Sequence, residues 1–103
     1  MAAPDITVQN NADRSRYEAF VDGDLAGYAA YRDTARGRVF THTSVDPDYE
    51  GHGVGSALAR GALDDVRAQG IPTVVRCPFI TDYIRRHPEY ADLTADSERP
   101  SGS

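Results

Sequence analysis

Apolar and polar residues alternate with a period of two over the first half of the chain and with a period near 3.6 over most of the second. Ile6 and Val8 alternate with polar neighbours until Asn10-Asn11 breaks the run. Arg16 to Val21 resumes it as far as Asp22-Gly23, a pair favoured in tight hairpins. Leu25 to Tyr31 is the next predicted strand, Arg36-Gly37 marks another turn, and Arg38 to Val45 follows, rich in the Val, Phe and Thr that suit a pleated surface. Such a succession predicts an antiparallel meander.

Beyond Asp46-Pro47-Asp48 the helical period takes over. Val54, Leu58, Ala62 and Val66 fall four apart, flanked by Ala59 and Leu63, with Arg60, Asp64, Asp65 and Arg67 on other faces. This is an amphipathic helix ending at Gly70, a residue type that suits a helix C-terminus. Thr73-Val74-Val75 then reads as a short strand. Because it follows a strand and a helix, it is expected to lie parallel to the fourth strand through a crossover. Pro78 sits where a first helical residue would be, and Phe79, Ile80, Tyr83, Ile84 and His87 trace one face of a second helix halted by Pro88. The predicted class is α/β of the α+β kind: a meander, a strand-helix-strand parallel crossover and a C-terminal helix.

Between the two regimes lies Tyr49-Glu50-Gly51-His52-Gly53-Val54-Gly55-Ser56, with three glycines on alternate positions. Glycine lets a turn take positive φ and lets backbone N–H groups approach a ligand. A helix starting at Val54 adds unpaired N–H groups and roughly half a positive charge at its N-terminus. The guest such a turn favours is a phosphate or pyrophosphate, although turns of this kind also occur for structural reasons alone. A dinucleotide fingerprint beginning at Gly51 would need Gly or Ala at position 56, where Ser56 stands, and would follow the first strand of a parallel sheet rather than a meander.

Composition narrows the choice. With 103 residues the chain suits one domain that must hold any ligand with a single sheet and its helices. A net charge of -5 argues against nucleic acid and mildly favours cationic or amine substrates. All 11 basic residues are arginine, so a P-loop and a Schiff-base mechanism, each needing a lysine, drop out. Cys77 is the single cysteine, and with three scattered histidines it shows no metal-ligand spacing. The N-terminal residues lack a charged n-region and an apolar h-region, and no stretch approaches membrane-spanning length, so a cytoplasmic protein is expected.

A meander feeding a strand, a Gly-rich turn, a helix, a parallel strand and a helix resembles the GNAT superfamily of N-acetyltransferases. Its hallmark is Gln/Arg-x-x-Gly-x-Gly/Ala before the central helix; here Gly53 and Gly55 fit, while Glu50 replaces Gln or Arg. Phe40-Thr41-His42-Thr43-Ser44-Val45, Glu50-Gly51-His52-Gly53, Arg76-Cys77-Pro78-Phe79 and Tyr83-Ile84-Arg85-Arg86-His87-Pro88 look like its small subfamily of about one hundred residues. The resemblance spans Arg14 to Leu93 and implies one acyl-CoA-binding domain over residues 1–93 with a flexible polar tail over 94–103. It implies acetyl-CoA as donor and an amine as acceptor, with the protein a monomer or weak homodimer. The pyrophosphate would rest on the backbone around Gly51, His52, Gly53, Val54, Gly55 and Ser56, with Phe79 also in the cofactor-binding set. The pantetheine arm would pair with Thr43-Ser44-Val45 where the fourth and fifth strands splay. Glu50, being repulsive to a pyrophosphate, is expected to point away. A non-catalytic CoA-binding or regulatory module of the same fold is the competing reading.

Three side chains are candidates for the chemistry. Cys77, directly before a helix and beside Arg76, sits where a thiol pKa is lowered; it is either an acetyl-accepting thiolate or a small buried hydrophobe. Tyr83, six residues on, resembles the family's tyrosine acid, yet it shares a helical face with Phe79 and His87 as a core residue would. His42 alternates with Phe40 and Ser44 and is expected on their side of the sheet, as a base for the amine or as a histidine satisfied within the sheet.

Overall fold

Asp22 and Gly23 both adopt positive φ, 50° and 91°, the geometry of a tight hairpin turn. That turn joins β2 (Arg16–Val21) to β3 (Asp24–Thr34), flanked by β1 (Ile6–Asn11) and β4 (Gly37–Val45). These four strands pair antiparallel in chain order, and β5 (Thr73–Val75) adds to β4 in parallel. Helix α1 (Val54–Gln69) makes the crossover, and α2 (Pro78–Arg86) follows β5. The computed structural model describes residues 5–94. The polar tail expected from position 94 lies outside the described residues apart from Thr94, which is buried. No helix among the described residues is long and apolar enough to cross a membrane.

Asn10 and Asn11 do not break β1 but finish it, paired with Tyr17 and Arg16. Their side chains have partners that make strand geometry tolerable: Asn10 accepts from the Tyr31 hydroxyl at 2.7 Å, and Asn11 donates to Glu18 at 3.2 Å. The chain turns only after them, through a 3-10 segment over Ala12–Arg14.

Helix α1 buries the face its periodicity predicts: Val54, Leu58, Ala59, Ala62, Leu63 and Val66. It contains Gly55 in its first turn and Gly61 in its interior, the latter costing about 1 kcal/mol against alanine. Burial of a Leu or Val side chain contributes about 1.5–3 kcal/mol, so packing holds the helix against its propensity. The glycines permit close approach, since a Cβ on Gly61 would lie 2.9 Å from Val8 Cγ1 and one on Gly55 would lie 2.5 Å from Phe79 Cζ. Tyr17, Ala19, Val21, Ala29, Tyr31 and Phe40 meet the helix from the sheet in one core. The opposite face carries Phe20, Tyr28, Val39 and Val74, which stay outside that core and partly exposed.

A polar clamp ties the far end of the sheet to α1. Arg38, 8% exposed, donates to both Asp33 carboxylate oxygens at 2.8 and 3.2 Å and to the Tyr17 hydroxyl at 2.7 Å. The Tyr17 hydroxyl in turn donates to Asp65 on α1 at 2.6 Å. Burial and this carboxylate hold the Tyr17 phenol well above its ordinary pKa, so it stays a donor. Beyond α2, the Tyr90 hydroxyl donates to Asp64 at 2.7 Å and Arg67 pairs with Asp92 at 2.9 Å. Residues 90–92 are thereby pinned along α1.

Candidate acyl-donor site

One extra residue in β4 shapes the site. Tyr31 pairs with Phe40 and Ala30 with His42, so Thr41 is a bulge opposite neither. A bulge shifts the alternation of everything after it. Phe40 faces the core, but Thr43, which pairs with fully buried Ala29, now shares its side, and His42 falls on the opposite face. The expectation that His42 sits beside Phe40 is therefore corrected, because strict alternation fails at Thr41. His42 is exposed, with its ring 6.1 Å from that of Tyr28. Ser44 shares its side, as expected.

The same bulge re-aims backbone groups. Up to Phe40, β4 bonds β5: the Phe40 carbonyl accepts from Arg76 N–H at 2.9 Å, and the parallel ladder stops there. The Asp46 N–H donates to the Ala26 carbonyl at 2.8 Å. Alternating back from it, Ser44 and His42 turn their backbones to β3, while Thr43 and Val45 present theirs to the gap left by β5. This is a free strand edge. Across the gap, Thr43 Oγ1 lies 3.1 Å from Cys77 Sγ, one hydrogen bond bridging β4 to the N-cap of α2. Cys77 is 2% exposed.

The free edge runs into the glycine turn. Gly51 and Gly53 take φ of 84° and 82°, and added Cβ atoms would meet nothing within 4 Å. Gly53 is the N-cap of α1, with no side-chain cap and no acid in the first turn. The first intrahelical bond is Ala57 N–H to Gly53 C=O at 3.0 Å. The N–H groups of Val54, Gly55 and Ser56 are therefore left to point outward. They open on a cavity of ≈ 310 Å³ lined by Val45, Glu50, Gly51, Gly53, Val54, Gly55, Ser56 and Phe79, which the sequence singles out, and by Tyr49, which it does not. An open cradle of donors with no competing side chain suits a pyrophosphate group.

Tyr49 ends a 3-10 turn over Pro47–Tyr49 too short to leave a periodic signal, so only its neighbourhood to Glu50 could have marked it. Burial, then the carboxylates of Asp24, Asp46 and Asp48, hold its phenol above the ordinary range. Glu50, expected to turn from an anion, borders the cavity. His52 is exposed and donates its N–H to the Tyr49 carbonyl at 3.3 Å, outside the lining. Tyr83 is also absent from the lining; its buried ring stacks on His87, centroids 4.1 Å apart.

Ser44 and Asp46 face away from the cradle, into a second recess of ≈ 190 Å³ between β3 and β4, bounded also by Leu25, Ala26, Gly27 and Tyr28. Val45, between them, lines the cradle. The two hollows thus lie on either side of the end of one strand.

Among solved structures, the chain is similar to a ribosomal-protein-alanine N-acetyltransferase from Brucella melitensis biovar Abortus 2308, with 22% identity and a TM-score of 0.53 over 85% of this chain and 63% of that one. It thus spans less than two-thirds of that protein, and the likeness is one of fold. A GCN5-related N-acetyltransferase from Kribbella flavida aligns with 28% identity and a TM-score of 0.43 over 60% of this chain and 18% of the other. No curated protein matches the chain. Residues 16–93, most of the sheet and both helices, match the family described as GCN5-related N-acetyl-transferase, and the chain belongs to that family.

Proposed function

We propose that the protein is an acetyl-CoA-dependent N-acetyltransferase acting on an amine. The observation that carries this reading is the continuity of the free β4 edge at Thr43 and Val45 with the uncapped N-terminus of α1. The Val54, Gly55 and Ser56 N–H groups would hold a pyrophosphate, and the Thr43 and Val45 backbones would pair with the amide groups of a pantetheine arm. Phe79, packed on Gly55, would close the side of the cleft. When bound, acetyl-CoA supplies an activated acyl carbon: a nitrogen–carbon bond forms from the amine lone pair, the carbon–sulfur bond breaks, and the departing sulfur takes a proton while the nitrogen gives one up.

The chain's residues divide that proton traffic. His42 is the accessible base candidate on the open face of β4. Tyr83 is the acid candidate, on the buried face of α2 with its ring stacked on His87, centroids 4.1 Å apart. Cys77 is buried and engaged with Thr43, which supports direct transfer over an acetyl-cysteine intermediate. Calorimetric titration with acetyl-CoA, followed by intact mass of the recovered protein, tests the reading. Saturable binding without an acetyl increment, with turnover retained in Cys77→Ser, is the expected result. An increment lost in Cys77→Ser would establish the covalent route instead, and absence of binding would sink the proposal.

A further inference from the structure

The sheet face turned away from both helices carries charge that the fold itself does not use. Helices α1 and α2 bury their apolar residues in one core on the other side, and Phe20, Tyr28, Val39 and Val74 are left as a partly exposed floor. By strand alternation Arg32, which pairs with Val39, and Arg76, two residues past Val74, stand on that floor with His42 between them. All three are exposed. We infer that this face docks an acidic polypeptide segment, and that the amine acetylated is a lysine side chain flanked by carboxylates. The inference rests on the N-acetyltransferase reading and adds a substrate class to it.

The pairing of charges points there. Arg16, Arg38, Arg67, Arg85 and Arg86 each hold a carboxylate of the fold, whereas Arg32 and Arg76 hold none among the described residues. Alternation turns Asp24 and Asp33 to the other side with their partners Val21 and Arg38, so the carboxylate that β2 to β5 place on this face is Glu18. It is already taken by Arg16 at 2.8 Å and Asn11 at 3.2 Å. Asp46 stands beyond the end of β4, with Oδ1 on the Asp48 N–H. A chain of net charge -5 thus keeps a local cationic strip. An acidic segment complements the strip, while a lysine among basic neighbours is repelled by the same two arginines. No described helix roofs this face. A small ligand needs most of its surface enclosed, so a segment laid across the strands is the occupant that fits.

Reach follows from the register. The donor path runs from the α1 N-terminus along the free edge at Val45 and then Thr43, which brings its acyl end to the level of His42. There the Arg76 N–H, 2.9 Å from the Phe40 carbonyl, closes the apex of the gap between β4 and β5. A lysine coming over His42 enters that apex from the outer face and shares neither the edge nor the cradle with the donor. Spacing fits as well. Arg32 and Arg76 are two strand spacings and two residues apart, about 12 Å. In an extended peptide, residues four apart span about 13 Å and share a side with the residue midway. Carboxylates two positions before and two after the lysine therefore meet both arginines while the lysine faces His42.

The test uses two blocked peptides that differ only in their flanks, acetyl-Gly-Glu-Ala-Lys-Ala-Glu-Gly-amide and the same chain with Gln for Glu. With acetyl-CoA, kcat/KM for the acidic peptide should exceed that for the neutral one by about tenfold at low salt, and the gap should narrow at about 150 mM. Arg32→Gln and Arg76→Gln, both at exposed positions, should each reduce the preference to about threefold and together remove it. Arg60→Gln on α1, the same change in net charge, should leave it. None should alter acetyl-CoA affinity by calorimetry. Equal rates for the two peptides, no turnover of either, or a preference that survives the double variant, each with acetyl-CoA binding normally, would overturn the inference alone. Sedimentation of the free chain as a dimer that Arg32→Gln dissociates would also overturn it, by giving the face to a second copy. If acetyl-CoA fails to bind while amide NMR shows the acidic peptide shifting Arg32, His42 and Arg76, the face stands as an acidic-peptide site and the N-acetyltransferase reading falls. With neither bound, both fall.

Discussion

Glu50 is the residue most at odds with its surroundings. It is the one carboxylate bordering a cavity otherwise lined by glycines, Val45, Val54, Phe79, Tyr49 and Ser56, and Asp46 and Asp48 stand close in sequence. A carboxylate there repels the anion that the α1 N-terminus attracts. Glu50→Gln is therefore expected to tighten acetyl-CoA several-fold, with no change in thermal midpoint because the side chain is exposed; an unchanged or weaker dissociation constant by calorimetry would mean the carboxylate turns away in the complex. At this scale the glycines were legible because each departs from what a helix or strand wants. Tyr49 was not, since it ends a 3-10 turn too short for a periodic signal and stands beside Asp24, from a distant segment.

Elements show the same division. Each strand and both helices follow from periodicity and turn residues, but the bulge at Thr41 does not, because Thr-His-Thr-Ser alternates as well with it as without it. Its effect is large: it exchanges which of His42 and Thr43 faces the core. Deleting Thr41 should remove the extra residue while keeping Phe40, His42 and Thr43 paired with Tyr31, Ala30 and Ala29, so Thr43 stays on the core side and acetyl-CoA binding is expected to survive. Inserting a residue between His42 and Thr43 should instead turn Thr43 outward and abolish binding by calorimetry, with far-UV dichroism close to that of the parent in both. The segment after α2 offers a pH signature. Burial, then its hydrogen bond to Asp64, raises the Tyr90 phenol from 10.0 to about 12. The folded state binds the proton more tightly, so this contribution is whole below pH 10.0 and is lost as pH rises through about 12. Urea unfolding of Tyr90→Phe should show a loss of about 0.5–1.5 kcal/mol at neutral pH and a shallower alkaline decline, Tyr17 supplying what remains of it.

The whole molecule carries a net charge of -5, which opposes the polyanionic donor proposed for it. Attraction must then be short-range, from oriented N–H groups, while the long-range field opposes it. Raising ionic strength from about 20 to 150 mM shortens the Debye length to about 8 Å and screens the opposing part. Acetyl-CoA affinity is expected to hold steady or rise over that range, and a steep fall would reveal cationic contacts instead. The molecule is also unevenly joined. The meander strands share ladders of six to eight residue pairs, whereas β5 meets β4 in three. Cys77 and Phe79 lie beyond that short seam, so the cleft has one wall rooted in the meander and one attached by its weakest join. In free-energy terms that wall is the one that opens most readily, and a ligand gripping both sides would act as the missing rungs, slowing amide exchange in β5 far more than in β2.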